Sequence, residues 1–90
     1  MSAAQNGLNA RLVRIIGDAR VCGLTVGSCQ EILEEHRLGD EYIASNIAAA
    51  IENLRRNKHV CFDRLPGDLK RYFLTDSGLE WYEALQSTSV

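Results

Sequence analysis

The hydrophobic period of this chain changes abruptly after Leu54. Up to Leu54 apolar residues recur every three or four positions, whereas Val60 and Phe62 alternate with His59, Cys61 and Asp63. A period near 3.6 lines apolar side chains along one stripe of a helix, and a period of two lines them on one face of a strand. The chain must therefore build helices first and a sheet element afterwards. Leu65-Pro66-Gly67-Asp68 follows the first strand segment. Proline presets φ at the second position of a turn, and glycine accepts the positive φ that a type II turn needs at the third. A second strand is expected over Leu69 to Leu74, closing a β-hairpin.

The helical part divides into three. Leu8, Leu12, Ile15, Ile16 and Ala19 share one stripe, with Asn6 placed to cap it, and the helix is expected to fail near Cys22 and Gly23. Thr25 then offers a hydroxyl to a second helix carrying Val26, Cys29, Ile32, Leu33 and His36, whose outer face is acidic through Glu31, Glu34 and Glu35. Arg37-Leu38-Gly39 interrupts. Asp40 is the expected N-cap of a third helix in which Ile43, Ile47, Ala50, Ile51 and Leu54 repeat through to Asn57. Two helices joined by a short glycine-containing turn, the second one longer, have the organisation of a helix-turn-helix. After the hairpin, Thr75 caps a last helix with Leu79, Trp81, Tyr82 and Leu85 inward and Glu80 and Glu83 outward. Beyond Gln86 the tail is expected to fray.

This order resembles the winged-helix branch of helix-turn-helix DNA-binding proteins from Leu8 to Leu85. Tyr72-Phe73-Leu74-Thr75-Asp76-Ser77-Gly78 is similar to the YxLTxxG run that ends the wing and begins the last helix in many winged-helix regulators. Ile51-x-x-Leu54-x-x-x-Lys58-x-Val60 is similar to the end of the recognition helix and the start of the wing. The resemblance implies a mostly α fold with a small β-hairpin: a three-helix core, a wing and a C-terminal helix. It also implies that the third helix lies in the major groove and the wing reaches the flanking backbone or minor groove.

Charge bears on that expectation from both sides. The net charge of −2 averages over an asymmetry, because Arg55, Arg56, Lys58, Arg64, Lys70 and Arg71 face only Asp63 and Asp68 between positions 55 and 72. One continuous patch of these six would suit DNA phosphates. On the outer face of the third helix lie Tyr42, Ser45, Asn46, Ala49 and Asn53. Asn can pair with adenine, Ser can reach bases or phosphates, and Ala can touch a thymine methyl, so Ser45, Asn46 and Ala49 are the candidate base readers. Against DNA stand Asp40 and Glu41 at the start of that helix, the acidic second helix, and the lack of Arg or Lys before Arg55. Arg56 and Glu52 also have the spacing of an ordinary intrahelical pair. Hairpin cations can equally serve to keep an exposed edge strand from aggregating.

Ninety residues form a single expected domain over 1–90, ordered over about 6–86. A chain this short buries only about 60 to 65% of its unfolded surface, which leaves little for an enclosed catalytic cavity. His36 and His59 lie in no triad-like context, so no enzyme is expected, and His59 is placed on the hairpin surface. Gly23 and Gly27 lack the Lys-Ser/Thr of a phosphate loop. Cys22, Cys29 and Cys61 show no metal-site spacing and read as small buried hydrophobes, with no metal or cofactor expected. Nothing in the sequence has the length or apolarity of a membrane span, and a cytoplasmic location is expected. Two partner classes stay open. One is duplex DNA, bound by a regulator that dimerises through Trp81, Tyr82 and Leu85; the other is a protein engaged by the acidic second helix, as in an adaptor or inhibitor.

Overall fold

The computed structural model describes residues 3–19 and 23–87, with side chains from Gly7 onward. Its elements run α1 (Ala3–Ala19), β1 (Leu24–Val26), α2 (Cys29–Glu35), α3 (Ala44–Arg56), β2 (Val60–Leu65), β3 (Leu69–Leu74) and α4 (Asp76–Ser87). Among the described residues this is a small α+β arrangement of four helices and one antiparallel sheet in the order β1-β3-β2. None of these helices is long and apolar enough to cross a membrane.

The helices enclose the core that their periodicity predicts. Leu8, Leu12 and Ile16 of α1 meet Ile47, Ala50 and Leu54 of α3, and Ile32, Leu33 and Leu38 close one side. Val13 joins them from α1, and Val26, Val60 and Tyr72 bring the sheet onto the same cluster. Among the described residues, Asn9 is the buried polar member. Its amide donates to Asn53 Oδ1 at 3.5 Å, and Asn57 Nδ2 donates to the same oxygen at 3.0 Å, so a chain of amides ties α1 to α3.

Several local expectations change. Asn6 lies inside α1 rather than at its start. Thr25 and Val26 belong to β1, and α2 is capped instead by Ser28, whose Oγ accepts from Glu31 N at 3.3 Å while Glu31 Oε2 accepts from Gly27 N at 3.1 Å. Asp40 sits in the preceding turn. The cap of α3 is Ile43, whose N–H donates to Asn46 Oδ1 at 2.9 Å and whose side chain is 64% exposed instead of buried. Tyr42, expected on the outer face of the helix, packs half-buried against the core. Leu79 is largely exposed. Cys61 is exposed and Cys29 half-buried, so neither is a fully buried hydrophobe; Cys22 and the tail from residue 88 lie outside the described residues.

The hairpin departs by a single residue, with large effect. Leu65 pairs with Leu69, so the loop holds three residues, Pro66 to Asp68, rather than four. Gly67 has the positive φ expected of it, at 78°, and Asp68 follows at 62°. Because side chains alternate across a strand, a register shift of one moves every β3 side chain to the other face.

Candidate nucleic-acid interface

Pairing assigns the hairpin cations to faces. Arg64 stands opposite Lys70, and Asp63 opposite Arg71. Directly opposed residues of an antiparallel pair share a face, and neighbours along a strand do not. Arg64 and Lys70 thus lie together with Phe62 and Tyr72, on the side that turns toward α3. Arg71 lies on the reverse, where Nη2 is 3.8 Å from Asp63 Oδ2 and the guanidinium stands 5.4 Å from the Phe73 ring centroid. The six expected cations do not form one patch.

Between α3 and the hairpin runs a groove of about 390 Å³ lined by Ala48, Glu52, Arg55, Phe62, Arg64 and Lys70 among others. Lys70 Nζ lies 5.4 Å from the centroid of Phe62, which props the ammonium at the groove wall. Glu52 holds Arg55 in a two-point clamp, with Arg55 Nε and Nη2 donating to its two oxygens at 2.8 and 2.6 Å, and Arg56 Nε approaches at 3.6 Å. The pair anticipated between Glu52 and Arg56 is real but secondary. Lys58 stands apart with a positive φ of 63°; its carbonyl accepts from the Thr75 hydroxyl, which fixes this turn to the start of α4.

The candidate base readers also separate. Ser45 and Ala49 are exposed along α3, together with Ala48 and Glu52. Asn46 is engaged at the helix start, and Asn53 faces Asn9 and Asn57. The outward residues of α3 are therefore small over its first turns, Ser45, Ala48 and Ala49, and then polar or charged, Glu52, Asn53, Arg55 and Arg56. Nothing in the periodicity singled out Glu52 as the groove's counter-charge, since its main partner is three residues on and exposed pairs have no hydrophobic signature.

Packing places the other sequence candidates as follows. His59 is not on the hairpin surface: its Nδ1 is 2.7 Å from Ser77 Oγ and its ring meets Trp81 edge-on at 5.1 Å. Tyr82, expected at a dimer seam, is buried, donating its hydroxyl to Asp18 at 2.6 Å. Trp81 and Leu85 are half-buried against the core. Among the described residues no three His, Cys, Asp or Glu side chains gather to hold a metal ion.

Comparison with family models, curated proteins and solved structures gives no match. Function must be reasoned from the groove itself.

Its titration behaviour follows from the clamp. The hydrogen bonds from Arg55, and then its charge and that of Arg56, hold the Glu52 carboxyl below its ordinary range, and the same bonds raise Arg55. The depressed value means that the clamp is intact above the ordinary carboxylate pKa and is lost as pH falls through the folded one. A carbon-detected NMR titration is expected to find Glu52 protonating below the usual glutamate range and to find it back in that range in Arg55→Gln. An unchanged Glu52 value in that variant would show that the clamp does not form in solution. Deeper in the groove, burial raises the Cys29 thiol against the opposing effect of Lys70, and burial raises the Tyr72 phenol.

Proposed function

We propose that this chain is a winged helix-turn-helix domain that binds duplex DNA, with the α3–hairpin groove as its phosphate-holding face. The observation that carries this is the convergence of Arg64, Lys70 and Arg55 on one groove beside the exposed small side chains of α3. Three cations against Glu52 leave an excess of positive charge where the rest of the chain is acidic, and guanidinium groups suit phosphate oxygens. The order of helices and hairpin agrees with the same reading. Ser45 and Ala49 would lie toward the bases, with Glu52 able to accept from a cytosine amino group.

Arg71, on the reverse face, has no part in this contact, and Arg56 and Lys58 are secondary. Dimerisation through Tyr82 is not needed. The acidic second helix gives a protein partner less to hold than its charge count suggests, because Glu31 is turned onto Gly27 and Glu34 accepts from Gln30 at 3.2 Å.

With Arg55 clamped by Glu52, phosphate contacts from Arg64 and Lys70 give log K against log salt a slope of about −1.8, a loss of roughly 12-fold between about 50 and 200 mM salt. Titration of a labelled random duplex by fluorescence anisotropy is expected to show that slope, reduced by about 1 in Arg64→Ala and unchanged in Arg71→Ala. Glu52→Gln is expected to tighten binding by releasing Arg55. No binding at low salt, or equal effects of Arg64→Ala and Arg71→Ala, would overturn the proposal.

A further inference from the structure

A second concentration of positive charge lies away from the groove, in the part of the chain that is acidic on average. Arg11 and Arg14 of α1, His36 and Arg37 at the end of α2, and Glu41 surround an open cleft of about 430 Å³ floored by Ile15 and Leu38. Helical spacing sets Arg11 and Arg14 on one face of α1, three residues apart. Arg37 is brought alongside by a left-handed backbone, φ 55°, at the α2 terminus. Glu41, the carboxylate among the lining residues, pairs with Arg11 at 3.1 Å, and the same guanidinium lies 6.0 Å from the Tyr42 ring centroid.

The second observation is His36. Its Nε2 is shut off from solvent and has no hydrogen-bond partner. A buried polar atom left unpaired is costly. The imidazole therefore keeps one bond unmade at the wall of this cleft, a state that a turn of the ring onto a bound acceptor would relieve.

We infer that this cleft is a binding site for a small oxyanion carrying an apolar group, such as a phosphate monoester. Guanidinium groups offer paired donors in one plane, which match the oxygens of a phosphate or carboxylate. Ile15 and Leu38 supply an apolar floor that a bare inorganic ion would not use, and the volume falls within the range of small-ligand sites. This inference stands apart from the DNA reading, because none of its residues lines the α3–hairpin groove.

The test is a ¹⁵N-edited NMR titration of the whole chain with inorganic phosphate, phenyl phosphate and benzoate, at constant ionic strength with chloride as reference. Saturable shifts at Arg11, Arg14, His36 and Arg37 are expected, with phenyl phosphate binding more tightly than inorganic phosphate. Benzoate in place of phenyl phosphate as the tighter ligand would assign the site to carboxylates and overturn the phosphate preference. Arg37→Asn retains a residue that tolerates left-handed backbone and removes the guanidinium. It is expected to weaken binding by about tenfold or more, as loss of a charge-assisted contact does. Arg14→Gln, on the exposed face of α1, gives an independent second variant. Shifts that stay linear, match those of chloride or survive both substitutions would overturn the inference, whatever the DNA titration returns.

Discussion

Gly78→Ala is expected to lower the stability of the domain by about 3 kcal/mol, the upper end of what overpacking usually costs. In a domain of this size that corresponds to a fall of roughly 12 to 24 °C in Tm. The cause is a close approach of two backbones. The turn at Lys58 and His59 lies against the first turn of α4, where Thr75 N donates to the His59 carbonyl at 3.1 Å and Gly78 N donates to Thr75 Oγ1 at 3.2 Å. A Cβ on residue 78 would collide with the His59 carbonyl oxygen and lie 3.0 Å from its carbonyl carbon. No rotamer change can relieve a clash of a Cβ with a main-chain carbonyl. Urea unfolding followed by circular dichroism checks the expectation, and a midpoint equal to that of the parent would mean that α4 does not rest on this turn. The same contacts give Thr75-Asp76-Ser77-Gly78 a mechanical meaning: the threonine closes the turn onto the helix, and the glycine lets it come near.

Tyr82→Ala is expected to cost about 4 kcal/mol, because it empties a buried aromatic site and removes the hydroxyl that donates to Asp18 and accepts from Gln86. The informative measurement is its combination with Gly17→Ala. In the parent chain a methyl on residue 17 would press on the Tyr82 ring, 2.7 Å from Cγ and closer still to the ring edge. Gly17→Ala alone is therefore destabilising despite the better helix propensity of alanine. With the ring gone the methyl occupies vacated space, and the same substitution is expected to become stabilising by about 1 kcal/mol. A double-mutant cycle in urea reads the change of sign. Additive effects would separate Gly17 from Tyr82 and place α4 elsewhere on α1.

Local signals were readable in the sequence, and nonlocal ones were not. Thr75 as a cap, β3 over Leu69–Leu74 and the apolar stripe of α1 depend on neighbours within a few positions. β1 depends on Tyr72, Arg71 and Lys70, far along the chain, and its three residues are too few to show a period. Thr25 passed for a cap because a hydroxyl before an apolar residue is common to both roles, although Ser28 and Glu31 have the spacing of a capping box. The basic patch failed for a more instructive reason. With a four-residue turn, Arg64 would face Leu69, and Arg64 and Arg71 would share a side; the three-residue loop exchanges Arg71 for Lys70. Counting charges identified the region, but one residue of loop length decided which cations meet. The cleft around Arg37 was invisible for a similar reason, since its three arginines are scattered through a segment whose average charge is negative.

The position of β3 between its two partners also sets an expected order for the folding reaction. β2 and β3 are joined by a loop of three residues, so their pairing closes a short chain segment and can form early, whereas β1 must be recruited across both intervening helices. Loop closure over that distance is favourable only once α2 and α3 are packed. β1 is then expected to act as a late latch, contributing to how long the native state persists more than to how quickly it is reached.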